Sequence, residues 1–166
     1  MVRVPASSDE HDHVESDFRR SISAFFLQSR YRSGQQPQVL VEAVHRVQNR
    51  PQWRRYCLLR DELRLRERAP DDAAAMRRFE RERLYHGTDE ATADKIAHNN
   101  FNRSFCGKNA TRLGHGSYFA LHAGYSLRYA PPDGRGVRRI YACRIYVTYK
   151  DSQAYPEYLI SFRLDK

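Results

Sequence analysis

A chain of 166 residues, 40% hydrophobic and 12% aromatic with 11 tyrosines, is long enough to enclose one core and too apolar to be disordered. Its formal charge of +9 leaves two readings open, a solvated basic surface or attraction to a polyanion. No apolar run reaches membrane-spanning length and the N-terminus lacks the apolar stretch of a signal peptide, so no membrane partner is expected.

Residues 1–15 are polar and acidic, and read as a flexible leader before a domain over 16–166. His11 and His13 stand beside acids, but a frayed terminus is preferred to a metal site. Phe18, Ile22, Phe25 and Phe26 recur near helical spacing over Asp17–Tyr31, with Ser16 or Asp17 as cap and Ser33-Gly34 through Pro37 as the stop. Val39–Val47 is ambiguous by period. Its β-branched residues and the Asn49-Arg50-Pro51 that follows favour a strand. Pro51–Glu67 reads as a helix with Trp53, Tyr56, Leu59 and Leu63 on one stripe, Trp53 being a core residue. Further strands are expected at Leu84–Thr88, Ser117–Ala120, Arg139–Tyr149 and Tyr155–Phe162, and short helices at Thr92–Asn99 and His122–Arg128. Cys57, Cys106 and Cys143 are odd in number and lack zinc-ligand spacing. Reduced thiols, a cytoplasmic or nuclear location and no metal are the expectation.

The stretch Leu84–Tyr129 carries the chemistry. His86-Gly87-Thr88 ends a strand, and a glycine there lets a ligand approach bare backbone. Aromatic rings from Ser117–Ala120 and the next helix would sandwich something flat, as a pocket for a planar, amide-bearing heterocycle such as nicotinamide does.

His86-Gly87-Thr88, the run Gly114–Ala120 and the closing Tyr155–Ile160 resemble the catalytic domain of the poly(ADP-ribose) polymerase-like (diphtheria-toxin-like) ADP-ribosyltransferases. Phe101-Asn102-Arg103-Ser104 and Gly107–Ala110 resemble most the macrodomain-bearing mono-ADP-ribosyltransferases. The resemblance is dense over Leu84–Ile145 and Tyr149–Arg163 and thinner back to Ser16. It implies an α+β fold of two packed, mainly antiparallel sheets with flanking helices, here one strand and a loop short between Arg139 and Tyr155. It implies NAD as co-substrate, release of nicotinamide and protein side chains as acceptors. The implied catalytic triad is His86, Tyr118 and Ile145. The implied NAD contacts are His86, Gly87, Thr88, Arg103, Tyr118, Ser126 and Tyr129. Gly87 backbone and the Ser126 hydroxyl would hold the carboxamide, Tyr118 and Tyr129 would flank the ring, and His86 would bond the adenosine ribose with Thr88 beside it. Lys108 and Arg112 are further candidates for the pyrophosphate. Chain-building members carry Glu at the position matched by Ile145, so single transfer is implied. Two other readings stay open: an inactive relative that binds NAD or ADP-ribose, and a basic nucleic-acid binder that rests on charge alone.

Overall fold

The computed structural model describes residues 1–22, 27, 37–66, 80–101, 117–146 and 154–165. Its elements in chain order are β1 (Val2–Arg3), α1 (Asp9–Ser21), β2 (Gln38–Arg46), α2 (Arg50–Arg66), β3 (Glu80–Thr88) and α3 (Glu90–Asn99). There follow α4 (Ala123–Ser126) with a 3-10 turn (Leu127–Tyr129), β4 (Arg138–Tyr146) and β5 (Ala154–Asp165).

The expected leader is a strand and a helix. Ser8 caps α1 by accepting from the His11 N–H at 3.2 Å, with Asp9, Glu10 and Asp12 in the first turn and Arg19 and Arg20 in the last. That charge order suits the helix dipole. His11, Val14, Phe18 and Ser21 form the buried stripe, so a segment that looks polar throughout still has a core face. The helix therefore begins at Asp9 rather than Asp17. Phe25, Phe26 and Tyr31 lie outside the described residues.

Among the described residues the strands form one sheet, not two, in the order β1-β2-β5-β4-β3 and antiparallel throughout. β4 lies between β3 and β5, with Arg138↔Phe162 at one end of its pairing to β5 and Ile145↔Ala154 at the other. Its alternate residues enter two different cores. Ile140 and Ala142 join Phe18, Tyr85, Leu127, Ile160 and Phe162. Tyr141, Cys143 and Ile145 join Ala93, Ile96, Phe101 and Leu159. Side chains of successive residues point to opposite faces, so a strand apolar on both must be covered on both. That is why helices flank a single sheet. α2 packs at the end of β4 and β5 through Tyr56, Tyr146 and Tyr155, and the half-exposed Trp53 stacks on Tyr56.

The expected strand at Ser117–Ala120 contracts to one bridge. Ala120 exchanges both backbone hydrogen bonds with Tyr85, at 2.8 and 2.9 Å. The Tyr118 carbonyl is instead taken by the His86 ring.

α1 is the strut behind β3 and α4. Phe18 is fully buried and meets Phe162 edge-on at 4.9 Å and Tyr85 at 6.2 Å. Ser21 Oγ accepts from the Ala123 N–H at 3.3 Å. Phe18→Ala is expected to cost about 3–5 kcal/mol of stability by urea denaturation, as loss of a buried ring does. A loss under about 1 kcal/mol would show that α1 is not part of the cooperative fold.

Candidate active site

Gly87 is the centre of the site. Tyr85 uses its backbone N–H and C=O on the outer side of β3, toward Ala120. Its pairing with Ala142 on β4 is therefore the non-bonded kind, and regular alternation makes Gly87↔Ile140 the same. The Gly87 N–H and C=O thus face the free outer edge. One donor and one acceptor side by side match a primary carboxamide.

On that edge sits the α4 turn. A Cβ on Gly87 would lie 2.2 Å from the Ser126 carbonyl oxygen, 3.0 Å from the Tyr129 carbonyl carbon and 3.1 Å from the Ala130 nitrogen. Only glycine permits this backbone-on-backbone approach. Ser126 is buried and its hydroxyl donates to the Tyr85 carbonyl at 2.9 Å, which leaves the oxygen's lone pairs as acceptors. Tyr129 is 37% exposed, so its ring is available at the rim.

His86 has the same regular placement one residue back, its ring on the opposite face to Tyr85. Its Nδ1 lies 2.8 Å from the Tyr118 carbonyl oxygen. A carbonyl only accepts, so Nδ1 carries the proton and Nε2 carries a free lone pair. Burial holds the imidazole below its ordinary value, against the opposing effect of the Tyr118 bond. At neutral pH His86 is therefore an uncharged acceptor at Nε2, suited to a sugar hydroxyl. Phe101 meets the ring edge-on at 5.0 Å and Phe119 lies at 5.4 Å. Thr88, also buried, shares this face of β3 by alternation.

Gly87, Ser126 and Tyr129 are thus brought together, and Tyr118 is tied to His86 through its carbonyl. Ile145 is not brought to them. It pairs with Arg81 at the other end of β3 and is 8% exposed within the core that holds Phe101. The β4 residue opposite His86 is Tyr141, whose hydroxyl donates to the Ala93 carbonyl at 2.7 Å. Arg103, Lys108 and Arg112 lie outside the described residues, as does Asp151. Glu157 pairs with Arg144 at 3.0 Å. Phe101 and Phe119 stand in the motifs that carry the resemblance, but the sequence reading gave neither a contact with His86. The available signal was their position, Phe101 two residues past the end of α3 and Phe119 one past Tyr118.

Nearby, Asp133 joins the turn after α4 to the start of β4. Its desolvation is outweighed by the N–H groups of Val137 and Arg135 and by Arg139, which hold its carboxyl below the usual range. Arg139 bridges Asp133 at 2.9 Å and Glu90 of α3 at 2.7 Å. A cleft of about 460 Å³ lies elsewhere, between Arg3, His45, Asp94 and Arg139. It is lined by opposing charges and lacks the backbone pair of Gly87, so it is not the candidate site. Among the described residues no cluster of metal-ligating side chains is present. No helix among them is long and apolar enough to cross a membrane.

Residues 17–140 match the family of the poly(ADP-ribose) polymerase catalytic domain. The chain belongs to that family. Membership assigns it the ADP-ribosyltransferase fold. The chain is 28% identical over 204 aligned positions to protein mono-ADP-ribosyltransferase PARP14 of Homo sapiens, covering 98% of this chain and 10% of the relative. It is 44% identical over 64 positions to protein mono-ADP-ribosyltransferase PARP10 of Mus musculus, covering 37% of this chain and 7% of that protein. It is 28% identical over 134 positions to protein mono-ADP-ribosyltransferase PARP12 of Homo sapiens, covering 80% and 16%. The chain thus spans about a tenth of the length of the first of these relatives. An alignment of 204 positions with a chain of 166 residues leaves at least 38 positions (204 − 166) of the relative without a counterpart. The family match ends at Ile140, inside β4.

Gly87→Ala is expected to lower stability by about 1–3 kcal/mol, because the methyl meets backbone that moves only with α4. Unfolding of the wild-type chain should also depend on pH. The folded His86 and His45 both titrate below the ordinary 6.5, His45 through burial and then Arg3. Below about pH 6.5 the unfolded chain binds protons that the folded chain does not, so stability is full above that value and falls as the pH drops toward the folded values. His86→Gln should flatten part of that fall, read from urea midpoints at pH 7.5 and 5.5.

Proposed function

We propose that the chain is an NAD-dependent protein mono-ADP-ribosyltransferase domain. It transfers ADP-ribose from NAD to protein side chains and releases nicotinamide. The observation that carries this reading is the free backbone pair of Gly87, packed against Ser126 and Tyr129, in a member of this family.

The site residues divide the work. Gly87 N–H and C=O hold the carboxamide, and the Ser126 hydroxyl accepts from its NH₂. Tyr118 and Tyr129 flank the ring. Neutral His86 accepts from an adenosine-ribose hydroxyl through Nε2, beside Thr88, and Arg103 meets the pyrophosphate. Cleavage at the nicotinamide–ribose bond passes through an oxocarbenium-like state, so fixing the two halves in one geometry supplies much of the acceleration. A carboxylate on the acceptor protein is ionised at neutral pH and attacks the ribose carbon directly, giving an ester and free nicotinamide. Growth of a chain would need a base at the attacking ribose hydroxyl, worth about 10²–10⁴-fold. β4 reads RRIYACRIY and carries no carboxylate anywhere along its length, which supports single transfer.

A second reading, an inactive module that binds NAD or ADP-ribose, is favoured by the 38 or more positions that PARP14 has and this chain lacks. Contact with a polyanion is a further proposal. The exposed Arg50, Arg54 and Arg55 on α2, with no acid in its first turn, suit phosphate groups. A reducing compartment, cytoplasm or nucleus, fits the unbridged Cys57 and Cys143.

Intact mass spectrometry after incubation with NAD and an acceptor protein tests the main reading. Discrete additions of single ADP-ribose units are expected, and ladders on one site would overturn single transfer. Stabilisation by NAD without any addition would establish the binding module instead. Tyr129→Ala, a rim residue that should fold normally, is expected to weaken NAD binding about three- to tenfold through the lost ring contact.

A further inference from the structure

Phe101 and Phe119, on either side of residues 102–116 in the sequence, meet at one imidazole. Phe101 precedes the stretch and lies 5.0 Å from the His86 ring, at 73°. Phe119 follows it and lies 5.4 Å from the same ring, and the two phenyl rings meet edge-on at 4.9 Å. The Tyr118 carbonyl accepts a hydrogen bond from Nδ1–H of the same ring.

Phe101 is itself held from behind. The last carbonyls of α3 are bonded by the start of α2: Asn49 Nδ2 donates to Ala97 and His98, both at 3.1 Å, and Gln52 Nε2 donates to His98 at 2.8 Å. Asn100 then turns the chain at φ 63° and ψ −172°, a backbone region that glycine occupies most readily, and its Nδ2 donates to the Ala154 carbonyl at 2.8 Å. The Phe101 side chain is 6% exposed and reaches the core with Tyr141 and Ile145. It is thus a fixed wall, placed by α2, α3 and β5 together.

We infer that Phe101 and Phe119 are positioning residues for His86, fixing its ring plane and its Nδ1–H tautomer so that Nε2 points at the donor ribose. The role in transfer rests on the NAD reading above; the role in holding the ring does not. The groups facing the ring are the Tyr118 carbonyl, the two phenyl rings and Tyr141 across the strand pair, whose hydroxyl is turned to Ala93. Among the described residues no acid or base pairs with it. Ring contacts and one carbonyl therefore select tautomer and direction. Removing a phenyl wall frees the ring to turn away from Tyr118 and to take up the other tautomer. A merely structural role for Phe101 would lower stability and leave the His86 tautomer alone.

The test is long-range ¹H–¹⁵N NMR of the His86 ring in the protein without NAD, in wild type, Phe101→Leu and Phe119→Leu, with NAD kinetics on the same samples. Phe119 is only partly buried, so its variant keeps the test open if Phe101→Leu does not fold. The wild type should show Nδ1 protonated and Nε2 bare. The variants should show mixed tautomers, a titration moved up toward that of free imidazole, and a KM for NAD raised about three- to tenfold with a smaller change in kcat. An unchanged His86 spectrum in a folded variant overturns the positioning role. A shifted His86 spectrum in the variants, together with a wild type that leaves NAD intact, upholds the positioning role and removes the transfer reading.

Discussion

The close approach of Gly87 to the backbone of Ser126, Tyr129 and Ala130 is the constraint on which the site depends. A side chain of any size there would meet a carbonyl oxygen 2.2 Å away. Because the contact is between main chains, it is indifferent to rotamers and brings the α4 turn to a set distance from the edge of β3. It also has an electrostatic consequence. Beyond Tyr85, the Gly87 N–H and C=O point away from the β4 ladder, and such groups favour a ligand that can satisfy both.

Support for that contact comes from parts of the molecule far from it in sequence. α1 braces β3 through Phe18 and Tyr85 and braces α4 through Ser21 and Ala123. α2 and α3 brace the other side, through Asn49, Gln52 and the chain turn at Asn100. β4 carries apolar residues to both faces and so lets one sheet serve as the partition between the two cores. A central strand of this kind is costly to interrupt, since both layers lose contacts at once. It is inside this strand, at Ile140, that the family match ends.

Chemically, the arrangement favours binding through uncharged groups. His86 is neutral, Gly87 contributes backbone, and Ser126 contributes a hydroxyl. In the proposed transfer, none of these would add a charge that competes with the positive character developing at a ribose carbon. Among the described residues, exposed arginines such as Arg50, Arg54 and Arg55 of α2 carry positive charge away from this group.

Much of this was legible in the residues. The strand ending in His86-Gly87-Thr88, helices expected over Thr92–Asn99 and Pro51–Glu67 and found within a residue or two of those starts, and the strands β4 and β5 follow from period and turn residues, which are local signals. The order of His86-Gly87-Thr88, the run Gly114–Ala120 and the closing Tyr155–Ile160 pointed to the family. Residues 1–15 misled because α1 buries a narrow stripe that includes His11, Val14 and Ser21, and a polar stripe is not apolar by period. Among the described residues one sheet stands where two were expected, because alternation shows which residues share a face but not which strands are neighbours. Ile145 was placed by resemblance, and register alone set it opposite Arg81, away from Gly87. The sequence by itself determined which residue types were available for an uncharged, glycine-centred pocket. The tertiary structure decided that Gly87 faces an open edge, that Tyr118 binds His86 by its carbonyl, and that Phe101 and Phe119 enclose the ring. Those are outcomes of pairing and packing between segments 15 to 40 residues apart, and no local signal encodes them.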